Sequence, residues 1–178
     1  MATSSCSPRR WKGTRLNRPV PDQVNIRIEE LTDLDVIVPL NAAVQNEHHD
    51  RHSDWFKPFD PDAVRRSLEE MLAAGGARIL VAWVGETPAG YLLLIERIRW
   101  ENAPRSADRA LEIDQMSVEP QFRRHGIGRA LVDRAKEIAK EESFDRIRLT
   151  VWFDNTGARS FYESIGFKTF RESMELPV

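Results

Sequence analysis

The chain has 178 residues, 41% of them hydrophobic and 30% charged, with one cysteine and a formal net charge of −2. That length suits a single domain, and Leu, Ile, Val and Phe make up about a quarter of it, enough for a folded core. The longest apolar runs, Ile79–Val84 and Tyr91–Ile95, fall far short of the roughly 20 residues of a membrane helix, and a lone Cys6 excludes an internal disulfide framework or a multi-cysteine metal site.

The charge is unevenly spread. Arg9, Arg10, Lys12, Arg15 and Arg18 precede the first acidic residue, Asp22, whereas residues 22–178 carry 21 basic against 28 acidic residues, a net of −7. So acidic a body is poorly suited to nucleic acid. Residues 1–21 are Ser-, Arg- and Pro-rich without apolar periodicity, and are expected to form a flexible basic extension. A transit peptide for organellar import is the alternative, and no apolar h-region suggests a secretory signal. Residues 22–178 read as one domain. The single cysteine fits a reducing compartment, so a cytoplasmic protein is expected.

Val24 to Glu29 alternates as a half-buried strand does. Thr32, followed by Asp33 and Asp35, predicts a helix start with acids in its first turn. Pro39 inside that pattern predicts a kink or a late start. Asp60-Pro61 predicts a second helix, ended by Gly75-Gly76. Arg78–Val84 and Gly90–Trp100 read as strands joined by a hairpin turn at residues 85–88, followed by a polar loop over residues 101–108. Leu111–Val118 is a further strand. From Ile127 the period becomes helical, with Leu131, Ala135, Ile138 and Ala139 on one face. Ile147 to Val151 alternates again, Thr156–Ser164 predicts a short helix stopped by Gly166, and Phe167–Leu176 predicts a last strand.

The order is therefore β-α-α-β-β-β-α-β-α-β. Three successive strands favour an antiparallel section, and the β-α-β over residues 111–152 favours one parallel pair. The expected fold is α/β, a mixed central sheet with helices on both faces.

One stretch carries most of the functional information: a strand ends at Val118 and a helix begins at Ile127, with Arg123, Gly126 and Gly128 between and just inside. Two glycines one residue apart let backbone approach a ligand closely. The free N–H groups of the first helical turn and the helix dipole favour an anion, and Arg123, Arg124, His125 and Arg129 add basic side chains. Such a turn suits a pyrophosphate. A tight structural turn and a nucleotide-phosphate site are the alternatives, although the third glycine of a dinucleotide fingerprint and the Gly-Lys-Ser/Thr of a P-loop are both missing.

Arg123-x-x-Gly126-x-Gly128 resembles the coenzyme A signature of the GNAT superfamily of N-acetyltransferases, and it follows Met-Ser-Val-x-Pro as in that family's fourth strand. Asn155-Thr-Gly-Ala-Arg-Ser-Phe-Tyr-Glu-Ser-Ile-Gly-Phe167 begins 27 residues after Gly128 and resembles the second hallmark. The resemblance implies acetyl-coenzyme A held between splayed parallel strands. Met116, Ser117 and Val118 would pair with the pantetheine arm through their backbone, the amides of Arg124, His125, Gly126, Ile127, Gly128 and Arg129 would bind the pyrophosphate, and Asn155 would bond near the pantetheine. It further implies direct transfer to a primary amine in a ternary complex, without an acyl-enzyme. Many relatives dimerise, so a homodimer stays open, as does a non-catalytic acyl-coenzyme A-binding regulatory module.

Alternation along the strand predicts that Glu112, Asp114 and Met116 share a face. One of the two carboxylates is a candidate base for the amine, which is protonated near neutral pH; the resemblance implies Glu112, eleven residues before Arg123, with Asp114 the close alternative. Their alternative is ion pairing with Arg97 or Arg148. The Val118 N–H is a candidate oxyanion donor, and Tyr162 matches the family's general acid for the leaving thiolate.

Three of the four histidines lie in His48-His49-Asp50-Arg51-His52. No third ligand accompanies His48 and His52, so no metal is expected. With Asp54, Trp55 and Phe56 these histidines are candidates to line the acceptor side, where acidic neighbours would favour a cationic amine.

Overall fold

A computed structural model describes residues 24–176; the basic extension and Cys6 lie outside the described residues. Five strands form one sheet in the order β1 (Ile26–Glu30), β2 (Ala77–Val84), β3 (Thr87–Arg99), β4 (Asp108–Val118) and β5 (Arg146–Leu149). The first three pairings are antiparallel and β4–β5 is parallel. The helices are α1 (Leu34–Arg51), α2 (Pro61–Ala74), α3 (Ile127–Glu141) and α4 (Thr156–Ser164).

Local chemistry accounts for most boundaries. Asp33, rather than Thr32, caps α1 by accepting from the Asp35 N–H. The helix begins five residues before Pro39 and runs past it, so the expected late start does not occur. Pro39 is exposed while Val38 and Leu40 on either side are buried, and tertiary packing outweighs the missing donor. Asp60 accepts from the N–H groups of Asp62 and Ala63 to start α2. The β2–β3 connection is tighter than expected: Val84 already pairs with Thr87, leaving Gly85-Glu86 as a two-residue turn.

Two cores sandwich the sheet. Tyr91 and Leu93 face α1 and α2 with Ile37, Leu40 and Leu68. Leu92 and Leu94 face α3 with Leu131, Ala135 and Ile138. Burial on both sides explains why residues 91–94 are apolar without alternation. Near the β4 start, the buried Asp108 carboxylate meets Arg148 at 2.7 Å, Arg146 at 3.0 Å and Arg99 at 3.8 Å, tying β3, β4 and β5 together.

Two further expectations fail. Leu93 pairs with Gln115 but Leu94 with Ile113, so Asp114 is an extra residue bulged out of β4. A bulge shifts the faces by one residue: Met116 packs against the α3 side, whereas Glu112, opposite Ile95, lies on the α1–α2 side. Glu112 and Met116 therefore do not share a face. The last strand over Phe167–Leu176 is also absent. Those residues pair with no strand, and Phe170, Met174 and Leu176 are exposed. The apolar residues there, Phe167, Phe170, Met174 and Leu176, do not alternate regularly and so offer no continuous face for a sheet to bury.

Candidate active site

The site begins where two strands part. β5 pairs with β4 only from Ala110 to Ile113, yet β4 continues to Val118. On the other side Met116, Ser117 and Val118 stay paired with Leu92, Tyr91 and Gly90. Residues 114–118 thus keep one backbone edge unpaired with β5, beside the bulge. At the end of this stretch a Cβ on Gly90 would lie 2.5 Å from the Ser117 carbonyl oxygen, so only glycine lets β3 and β4 come together there.

Beyond Val118 the chain makes a 3-10 turn at Pro120–Phe122 and then enters α3. Arg124 and Gly126 both have positive φ, +67° and +82°. No side chain caps the α3 N-terminus. Left-handed residues alternating with ordinary ones turn successive N–H groups toward one concavity, and an uncapped helix start adds the positive end of its dipole. The turn read from the sequence as suited to an anion is in this way a backbone cradle. Its side chains divide. Arg124 and Arg129 are exposed. Arg123 serves as a brace, donating from Nε to the Val118 carbonyl at 3.2 Å and meeting Glu47 of α1 at 3.5 Å. His125 turns its Nδ1 back to the Arg123 carbonyl at 2.9 Å. Ile127 is buried in the core, so only its backbone can face a ligand. Asn155 caps α4, its Oδ1 accepting from the Ala158 N–H at 3.0 Å.

The two carboxylates differ in surroundings. Glu112 meets Arg97 at 3.2 Å. Asp114, on the bulge, has its carboxyl pushed up chiefly by burial and then by the neighbouring Glu112, while Arg97 and a hydrogen bond from Gln115 oppose the rise. Tyr162 is buried beside Phe161 and Phe167, with centroids at 5.1 and 5.5 Å. Burial raises its phenol to about 12. It therefore stays protonated across neutral pH, as a hydrogen-bond donor must.

The end of α1 folds against the loop after β5. His52 stacks on Trp152 at 4.1 Å, and its Nε2 lies 3.2 Å from Asp154 Oδ1. Trp55 and Phe56 both set their edges against Trp152 at 5.7 Å, and His48 meets Phe56 at 4.7 Å. Burial lowers the His48 imidazole below its ordinary value, against a smaller opposing effect of Glu47. Asp54 is exposed. The sequence reading missed Trp152 and Asp154, which lie between a short strand and a helix where no periodicity signals them. Their position just before the Asn155 hallmark is the signal that could have found them.

The open β4 edge and the backbone cradle are adjacent, and together they suit an extended chain ending in a pyrophosphate. No group of three His, Cys, Asp or Glu side chains able to hold a metal occurs among the described residues. No described helix is long and apolar enough to cross a membrane.

Comparison with known proteins points the same way. The family model of the acetyltransferase (GNAT) family matches residues 44–167. An uncharacterized N-acetyltransferase of Methanocaldococcus jannaschii is 42% identical over 57 residues, 32% of this chain and 25% of that protein, so the chain spans about a quarter of that relative's length. The BH1408 protein of Bacillus halodurans superposes with a TM-score of 0.75 at 23% identity, over 85% of this chain and 99% of that one. An aminoglycoside N-acetyltransferase solved in complex with CoA superposes with a TM-score of 0.70 at 16% identity, over 89% and 98%. At such identities the structural likeness concerns the fold alone.

Proposed function

Because the chain belongs to the acetyltransferase (GNAT) family, we propose that it transfers the acetyl group of acetyl-coenzyme A directly to a primary amine in a ternary complex. The observation that carries this reading is the end of β4–β5 pairing at Ile113 beside the cradle at residues 123–128. The edge of Met116, Ser117 and Val118 that β5 does not pair suits the amide-bearing arm of the cosubstrate, as an added strand is bound. The amides of residues 124–129 suit its pyrophosphate.

Asp114 is the better placed of the two carboxylates to accept the amine's proton. Burial raises its carboxyl and so makes it a stronger base than an ordinary aspartate, while Glu112 meets Arg97 at 3.2 Å. The Val118 N–H is placed to stabilise developing negative charge on the acyl oxygen. Tyr162, kept neutral by burial, donates toward the departing sulfur. His48, His52, Trp55 and Phe56, with Trp152 and Asp154, border the acceptor side. Their aromatic faces and the carboxylate suit a cationic, partly apolar amine, from a small molecule or a protein.

The test is release of free thiol from acetyl-coenzyme A across a panel of amines. Amine-dependent release is expected. Thermal stabilisation by acetyl-coenzyme A without release in the presence of any amine would instead favour a non-catalytic acyl-coenzyme A-binding module. Ligand at 100 times its dissociation constant adds about 2.7 kcal/mol, so binding alone is readily seen.

A further inference from the structure

One end of the sheet gathers positive charge on a single face. Arg97 stands opposite Ala110 and Arg99 opposite Asp108, while Arg146 pairs with Ala110 and Arg148 with Glu112. Residues paired directly across strands point to the same side. These four arginines, Asp108 and Glu112 therefore share the face on which Ile95 packs against the α1–α2 core. Past Ile95 that face opens to solvent. Arg97 and Arg99 are exposed, and with Glu96, Ile98, Asp108 and Arg148 they line an open cavity of about 340 Å³.

The positive charge exceeds what the neighbouring carboxylates need. Buried Asp108 is met by Arg148 at 2.7 Å and by Arg146 at 3.0 Å. Glu112 takes Arg97 at 3.2 Å, and Glu96 is met by Arg78 at 3.7 Å. Among the described residues the Arg99 guanidinium has no partner closer than the Ser106 carbonyl at 3.4 Å, with Asp108 at 3.8 Å. Four guanidiniums against the two carboxylates of Asp108 and Glu112 leave a net of two positive charges on this face. One bidentate arginine suffices to pair a buried carboxylate, and like charges held together repel. Folding does not require this surplus, and its place on the wall of a cavity suits an anion.

We propose that Arg97, Arg99 and Arg148 form a subsite for an anionic group, a carboxylate or a phosphate, carried by the amine acceptor. This inference rests on the reading above that an amine is acetylated beside Asp114. Arg97 and Arg148 flank Glu112 from β3 and β5. Glu112 lies two residues before Asp114, roughly 7 Å along the strand. An amine at Asp114 and an anion at the arginines thus fit one molecule of modest length. Planar guanidiniums hold a carboxylate or phosphate through two hydrogen bonds at once. The acceptor class is then a zwitterion, cationic at the reacting end and anionic at the other, rather than a simple polycation.

The experiment uses acceptors matched except for the anion: ω-aminocaproate against hexylamine, and aminobutyl phosphate against butylamine. Binding is measured by calorimetric titration in the presence of coenzyme A, and kcat/KM by thiol release from acetyl-coenzyme A. The wild-type chain is compared with Arg97→Gln and Arg99→Gln, which leave the Arg146 and Arg148 contacts to Asp108 in place. Both side chains are exposed, and either variant serves if thermal unfolding shows that the other is not folded. In the wild type, one anion-bearing acceptor is expected to bind and react about tenfold or more better than its plain partner. The two pairs tell carboxylate from phosphate. In each variant that ratio should fall severalfold. No preference in either pair, or a preference that both substitutions leave intact, overturns the subsite. So does a rise in KM confined to acetyl-coenzyme A, which would assign the arginines to the cosubstrate. If the binding preference is present and falls in the variants while no amine releases thiol, the subsite stands and the transferase reading falls.

Discussion

The ring of Phe161 in α4 occupies the space that a side chain at Gly128 would need. A Cβ on Gly128 would lie 3.1 Å from Phe161 Cζ and 3.8 Å from Met116 Cε. The glycine turn, the open strand and the Tyr162-bearing helix thus meet at one point of contact. Gly128→Ala should change stability by less than about 1 kcal/mol, because the gain in helix propensity offsets a small shift of the ring. Gly128→Val should cost about 1–3 kcal/mol by overpacking, and should weaken acetyl-coenzyme A binding as α3 moves from β4. Urea unfolding and calorimetric titration measure both.

Tyr162→Phe keeps the ring packing against Phe161 and Phe167 and removes the hydroxyl. Turnover is expected to fall by roughly 10²-fold, the lower end for a lost proton donor, with the affinity for acetyl-coenzyme A unchanged. Steady-state kinetics beside direct binding would show it. Equal turnover in both proteins would remove Tyr162 from the mechanism.

Asp114 makes a prediction about stability and pH. Its carboxyl is raised in the folded chain, chiefly by burial, so the folded state binds the proton more tightly than the unfolded state does. Its contribution is fully present below the ordinary aspartate value of about 3.9 and is lost as pH rises through the higher folded value. Asp114→Asn escapes that loss. The variant should be more stable than wild type near neutral pH, with the advantage shrinking as pH falls toward 4. Urea midpoints at several pH values test the trend; an advantage that grows on acidification would contradict it.

How far the sequence alone reached depends on the kind of signal. The α4 helix was legible to its ends, because Asn155 announces the cap and Gly166 the stop. The α3 helix was legible from its apolar period. The bulge at Asp114 was not read, although the apolar residues of β4 change phase there, from Leu111 and Ile113 to Met116 and Val118 across the polar pair Asp114-Gln115. Met116 was misplaced for that reason alone. The expected Phe167–Leu176 strand had no regular period of two behind it, its apolar residues falling at 167, 170, 174 and 176. Asn41 and Tyr91 were missed as single polar residues within apolar stretches, and only the fold shows that they meet 50 positions apart.

Trp152 holds the end of α1 in place through His52, Trp55 and Phe56. Trp152→Ala should therefore raise KM for the amine severalfold or more while leaving KM for acetyl-coenzyme A near its wild-type value. Kinetics with each substrate varied in turn decide this. A rise confined to acetyl-coenzyme A would place the cluster on the other side of the site.

An exposed strand edge ordinarily invites a neighbouring molecule to add a strand of its own. The edge left by the parting of β4 and β5 lies within the sheet, with β3 on one flank and β5 on the other. It is therefore not a rim open to solvent along its length, as an outer strand is. The true rim beside it, β5, is only four residues long and carries Arg146 and Arg148, both deterrents to edge-to-edge association. Enclosure between two strands of one sheet thus protects these hydrogen-bonding groups from the edge-to-edge pairing that an open rim invites.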